Sequence, residues 1–244
     1  MKHLTLFLAL LAVVAFVPSA NATMSIYYEI GAGPILLCAT GPDSGPPNLG
    51  GVGSTDPTGC VFSGSGVSVA LVTSSSNSPG TPGLADQFGT TVEVQSSATT
   101  TVKIWLTAQD FSMPVIKPTE YQNGLTLNGI LSNTGETGTL HTCVDNTNGT
   151  AGPASFLGCS GGSLSQTLSN SGAATTSGTI FGAANQVATY SLEQLLTLSL
   201  KAGNDFNVST SQSLSVPEPA GIVLLGTALL GIATLVRRKK ATRA

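Results

Sequence analysis

The sequence predicts an all-β protein built as a single antiparallel β-sandwich-like domain, flanked by a signal peptide and a C-terminal transmembrane sorting helix. Three observations point to the β class. Only 9% of the 244 residues are charged, against roughly a quarter in an average soluble protein. There are 29 Gly and 13 Pro, and Ser and Thr are abundant; these residues favour turns and extended backbone over helix interiors. The apolar residues between them fall in short, often alternating runs punctuated by Gly, Pro and Asn, which is a strand pattern.

Taken in order, residues 1–22 read as a secretory signal. Lys2 supplies the basic start, an apolar run extends from Leu4 to Val17, and Ala20-Asn21-Ala22 is a small-x-small cleavage site. Cleavage is expected after Ala22, by signal peptidase following export through the Sec translocon. The apolar run is shorter than the roughly 20 residues that span a bilayer.

Residues 23–215 form the body, a suitable size for one sandwich. Strands are expected over 24–30, 35–39, 67–73, 91–95, 101–108, 125–131, 140–144, 189–200 and 206–216, and long polar loops over 41–59, 74–83 and 146–162. In the fifth strand Val102, Ile104 and Leu106 share one face, while Lys103, Trp105 and Thr107 share the other. Trp105 is expected to pack beneath a loop. The segment 190–200 has both helical spacing, at Leu192, Leu195 and Leu196, and alternation, at Leu196, Leu198 and Leu200; it is read as a late strand.

Charge in the body is one-sided. Between residues 23 and 216 the only basic residues besides His141 are Lys103, Lys117 and Lys201, against eleven carboxylates. Such a surface repels phosphate backbones, which argues against nucleic-acid binding.

Residues 216–244 form a second address. An uncharged apolar run, 220–236, is followed by Arg237, Arg238, Lys239 and Lys240. Its seventeen residues, at about 1.5 Å each, extend roughly 25 Å, enough to cross a thin bilayer core. The basic cluster acts as a stop-transfer signal and stays on the cytoplasmic side, leaving the body outside the inner membrane. Gly221, Gly226 and Gly231 recur every five residues, which does not build a small-residue dimer seam on one helix face. Just ahead stand Pro217, Glu218 and Pro219, whose two prolines hold an extended peptide beside the membrane.

The order Pro-Glu-Pro, short apolar helix and basic end, following a signal peptide, resembles the PEP-CTERM sorting signal of exosortase substrates. The likeness covers residues 216–240. It implies that Pro217, Glu218 and Pro219 are recognised by exosortase, a polytopic membrane enzyme. It also implies that the protein reaches the cell surface of a Gram-negative-type bacterium in the setting of exopolysaccharide production and biofilm or floc formation.

Cys38, Cys60, Cys143 and Cys159 all fall in the exported body, where disulfides persist. Four cysteines permit three pairings. Neighbours bracket Gly/Pro-rich loops, so Cys38–Cys60 and Cys143–Cys159 are the simplest expectation.

Catalytic equipment is sparse. His141 is the body's one histidine, two positions from Cys143, and two ligands do not make a metal site. Gly64-Ser65-Gly66 and Gly161-Gly162-Ser163 are turns, without the Gly-x-Ser-x-Gly elbow. No carboxylate pair is marked by its sequence context as acid and base, and no cofactor motif is present. Asn148-Gly149-Thr150 and Asn207-Val208-Ser209 match the N-glycosylation sequon but are expected to be ordinary turn and strand residues. The expectation is a non-enzymatic surface protein with a structural or adhesive role in the envelope or exopolysaccharide matrix. The alternative is a secreted carbohydrate- or calcium-binding module.

Overall fold

The computed structural model describes residues 23–42, 60–76, 78, 80, 84–112, 114, 119–130, 135–149, 156, 159–169, 175–187 and 189–216. They form twelve strands: β1 Thr23–Ile30, β2 Leu36–Pro42, β3 Cys60–Gly64, β4 Val67–Ser76, β5 Leu84–Ser96, β6 Thr100–Phe111, β7 Thr119–Ile130, β8 Thr137–Asp145, β9 Gly162–Ser169, β10 Thr175–Ala184, β11 Tyr190–Leu200 and β12 Asn204–Ser215. No helix occurs among the described residues. The strands make two six-stranded sheets, β2-β1-β6-β11-β8-β9 and β10-β7-β12-β5-β4-β3. All neighbours are antiparallel. The β-sandwich class follows.

All nine expected strands are present, several of them longer than expected. Residues 74–76, expected to begin a loop, continue β4, and Gly41, Pro42 and Gly162 also lie in strands. Three strands, β3, β9 and β10, lie where none was expected. Their polar, Gly-containing sequences present little alternating apolar signal. In β10, Gly178 and Gly182 occupy inward positions because leucines of β9 fill the space. A Cβ there would lie 3.0 Å from Leu168 Cδ2 and 2.7 Å from Leu164 Cδ2, respectively.

Alternation places every second residue between the sheets, and the interior has three levels. One apolar cluster holds Ile26, Val94, Ile104, Leu125, Leu140, Leu196 and Val208. The other holds Met24, Phe111, Tyr121, Val144, Tyr190, Leu192 and Leu214. Between them, on six different strands, lie the buried side chains Gln87, Asn123, Thr142, Gln166, Gln194 and Gln212. This polar belt ties the sheets together. Gln194 Nε2 donates to the Gln87 carbonyl at 2.9 Å, and Thr210 Oγ1 donates to Gln194 Oε1 at 2.5 Å. Gln212 Nε2 donates to Tyr121 OH and the Cys143 carbonyl, while Tyr121 OH donates to Thr142 Oγ1 at 2.6 Å. Buried amides bonded in this way specify one alignment of the sheets, because a shifted register would strand them without partners.

Antiparallel pairing throughout, with short links from β5 to β6 and from β11 to β12, fixes the ends of the sandwich. Odd-to-even connections lie at one end, including residues 31–35, 65–66, 97–99 and 201–203. The longer even-to-odd connections, the start of β1 and the finish of β12 lie at the other. Thr23 and Ser215 therefore leave the body at the same end, Ser215 from a central strand.

Candidate functional site

Of the residues singled out in the sequence, the four cysteines are placed. Cys38 joins Cys60 and Cys143 joins Cys159, with Cα separations of 5.7 and 5.2 Å; this is the pairing expected from neighbouring positions. The first disulfide links edge strands β2 and β3 of opposite sheets. The second ties β8 to the far side of its following loop. The cleavage site Ala20 and Ala22, the motif Pro217, Glu218 and Pro219, the apolar run 220–236 and the cluster Arg237, Arg238, Lys239 and Lys240 lie outside the described residues. Among the described residues no helix is long and apolar enough to cross a membrane. The last described residue, Val216, stands at the loop end, so Pro217 follows in sequence directly where β12 finishes.

The loop end carries a covered patch on the outer face of the first sheet. Trp105 is 5% exposed and packs with Tyr27, Leu195, Phe156 and the Cys143–Cys159 pair. As expected from its position, it lies beneath the loop that follows β8, and its face is not available as a platform for a ligand. His141 is half-buried and meets Phe156 edge-on at 5.2 Å. Burial pushes its pKa below the ordinary histidine value, favouring the neutral ring. Asn148, in the first sequon, has its side chain already engaged. Its Nδ2 donates to Asp110 Oδ1 at 2.7 Å and its Oδ1 accepts from Asp110 N at 2.9 Å. Asn207, in the second, is exposed on β12.

The fold does bring two carboxylates together that their sequence context did not single out. Glu193 on β11 and Asp145 on β8 lie on adjacent strands, where Glu193 pairs with Cys143 and Ser191 with Asp145. Both are buried, Glu193 completely. Asp145 accepts from Thr147 N at 3.0 Å and Thr147 Oγ1 at 2.5 Å. Glu193 has Ser191 Oγ at 3.5 Å, and its Oε2 has no partner among the described residues. Desolvation first, and then the negative charge of Asp145, push the Glu193 carboxyl up to about 7. Both carboxylates are covered from solvent, so the arrangement is a buried charge site. The sequence signal was faint: Glu193 is one carboxylate within a leucine-rich strand.

At the opposite end lies an open cleft of ≈ 480 Å³, lined by Gly66, Val67, Ser68, Gln95, Ser96, Ser97, Gly203 and Asp205. Its walls are turns bonded to one another. Ser97 N donates to the Gly66 carbonyl at 2.7 Å and Gly203 N to the Ser96 carbonyl at 2.6 Å. Ser65 and Gly66 have φ of 48° and 79°, the type I′ geometry that suits a two-residue hairpin. A Cβ on Gly66 would lie 2.7 Å from Ser97 Oγ, so Gly also permits the turns to touch. Beside Val67 and two glycines, hydroxyls, one amide and one carboxylate line this cleft, and among the described residues no aromatic side chain does.

Among the described residues no group of three or more His, Cys, Asp or Glu side chains is arranged to hold a metal ion. No family model matches the sequence, and no curated protein matches it. Among solved structures, the chain is similar to TmCBM61 in complex with beta-1,4-galactotriose, at 8% identity and a TM-score of 0.33, over 59% of this chain and 88% of that one. That likeness is too loose to carry a role across.

Proposed function

We propose that this chain is a non-enzymatic, secreted surface protein, processed by exosortase and serving a structural or adhesive role in the envelope or exopolysaccharide matrix. Residues 1–22 would direct export through the Sec translocon and signal peptidase. The 220–236 helix and its basic cluster would hold the tail in the inner membrane until Pro217-Glu218-Pro219 is recognised. The observation that carries the reading is the placing of the chain ends: β1 starts and β12 finishes at one end of the sandwich, with Val216 immediately before the motif. A tail leaving from a central strand at that end directs the opposite end away from the membrane. Two disulfides suit an oxidising, extracellular setting. Fractionation and C-terminal mapping of the wild type beside Pro217→Ala/Glu218→Ala test it. The wild type is expected to lose residues 220–244 and reach the surface, with the variant retained at the membrane. A variant processed and localised normally would sink the sorting assignment.

A second reading, a carbohydrate- or calcium-binding module, is favoured by one observation, the turn-end cleft with Ser68, Gln95 and Asp205 facing away from the tail. The buried Trp105 takes no part in it. Binding to a glycan array or to calcium that disappears in Asp205→Ala would support this reading. Binding unchanged in that variant, or no binding by the wild type, would remove it.

A further inference from the structure

The edges of the two sheets have an unusual composition. Charged residues occur on seven of the eight interior strands, such as Glu29 on β1, Lys103 on β6, Glu120 on β7, Glu193 on β11 and Asp205 on β12, β4 being the exception. The four edge strands β2, β3, β9 and β10 contain none. Natural proteins ordinarily guard exposed edges with charge, because an open edge is a template for another strand. Here three of the four carry exposed apolar side chains instead, while β9 exposes serine and threonine. Leu37 on β2 is 53% exposed, Val61 on β3 is 68% exposed and Phe181 on β10 is 61% exposed. Among the described residues no strand pairs with the outer side of any of the four.

Strand polarity says what fits there. β2 and β3 lie side by side at one lateral edge of the sandwich, joined by Cys38–Cys60. β9 and β10 lie side by side at the other, where Gly162 and Gly182 let them approach. Each sheet has six strands in strict alternation, so its two edge strands run in opposite directions. A second copy set alongside in the same sense presents β2 antiparallel to β9 and β3 antiparallel to β10. Both sheets continue at once, by the same pairing that operates inside each copy. A one-residue register shift at Ile26/Tyr27 and another at Cys60/Phe62 bend the β2 and β3 edge without ending its ladders. The 7 residues of β2 and the 5 of β3 set the length of the two new ladders.

We propose that the partner of this surface is a second copy of the chain, the β9/β10 edge of one copy pairing with the β2/β3 edge of the next. Such an interface joins two different patches and does not close on itself, so it builds chains of copies by strand addition. The twist of the sheets turns successive copies about the chain axis. The inference supplies the structural role proposed above with a physical partner and rests on that reading only for its setting. Edge pairing and sorting are measured separately, so either can fail alone.

The test uses the full chain purified in nonionic detergent, studied by light scattering across a concentration series and by negative-stain electron microscopy. Trp105 fluorescence checks that each variant is folded. Wild type is expected to form linear assemblies that grow with concentration. Phe181→Lys on one edge and Val61→Glu on the other are each expected to raise the concentration needed by about tenfold or more, a loss of about 1.4 kcal/mol per contact. Mixing the two variants should restore assembly, because the lysine of one then meets the glutamate of the other. Leu84→Lys, on an interior strand, should leave assembly unchanged. A wild type that stays monomeric throughout overturns the proposal. So does assembly that survives both edge variants, which would place the contact elsewhere, including the 220–236 helix. Assembly lost in Phe181→Lys but kept in Val61→Glu also overturns it, since β10 would then be pairing with itself.

Discussion

Replacing Glu193 by Gln should stabilise the protein in alkaline solution and do little in acid. The carboxyl is fully buried on the outer face of the first sheet, where Glu193 pairs with Cys143 of β8. Asp145 faces it from β8, Tyr121 lies within electrostatic reach from the second sheet, and the neighbouring β6 residue across the pair is the uncharged Thr107. Burial raises its pKa from 4.5 to about 7. In the unfolded chain the group ionises near its ordinary value, so between those two pH values the unfolded state loses a proton that the folded state keeps. Stability from this group is therefore fully present below the unfolded value and falls as pH rises to the folded one. At about 1.4 kcal/mol per pKa unit, the loss between about pH 4 and about pH 8 is on the order of 3 kcal/mol. Glutamine has the same shape without the charge, so the variant should escape that loss.

The assay is denaturant unfolding followed by fluorescence of Trp105, the one tryptophan, which sits in the same covered layer. The quantity to compare is the difference between wild type and Glu193→Gln at each pH. Asp86, whose carboxyl burial raises to about 6, contributes a fall of the same sign in both proteins. The lowered pKa of His141 contributes in the other direction: its stabilising effect is lost as pH falls. If the two proteins lose stability in parallel from acid to alkaline pH, Glu193 is solvated as an ion and the reasoning fails.

The polar belt predicts opposite outcomes for two similar substitutions, both measured by the same unfolding curves. Gln87 is fully buried with neither amide atom partnered among the described residues, so Gln87→Met should stabilise by about 1–2 kcal/mol through removal of a desolvation cost. Gln212→Met should instead destabilise by about 1–3 kcal/mol, because it removes the bonds donated to the Cys143 carbonyl and to Tyr121 OH, and these outweigh its one unpartnered atom, Oε1. Removing the Cys38–Cys60 bridge, whose ends are 22 residues apart, with Cys38→Ser/Cys60→Ser should cost about 3 kcal/mol; no shift in the denaturation midpoint would show that the loop was already constrained. Trp105→Ala should cost about 3–5 kcal/mol, read by calorimetry because the fluorophore is lost, while leaving any glycan binding by the folded protein unchanged.

Much of the architecture was readable residue by residue. The alternation of Val102, Ile104 and Leu106 against Lys103, Trp105 and Thr107 predicted a strand with an apolar inner face, and those three residues lie in the core. The ambiguous leucines of 190–200 resolve as a strand because β6 and β8 pair on either side of it. Strands β9 and β10 were not legible, since their apolar contacts come from residues opposite glycines and not from their own alternation. The belt was hidden for a related reason: Gln87, Gln194 and Gln212 look like solvent-facing residues in a one-dimensional pattern. Their burial depends on polar partners supplied by other strands.

The sequence by itself determined the β class and the spacing that makes neighbouring cysteines partners. These are local properties, set by the pleat of a strand and the reach of a loop, and they can be read from a few consecutive residues. Its two ends also carry the residues on which the proposed sorting rests. Only the tertiary structure decided that Glu193 meets Asp145, that glutamines divide the core, that both chain ends leave together, and that four uncharged strands are the edges. Those facts depend on which strand lies beside which, a relation between residues far apart in sequence, 107 positions in the Gln87–Gln194 bond and 121 in the Gly89–Thr210 bond. Strand order is set by the joint burial and pairing of all twelve strands, so no single segment contains it.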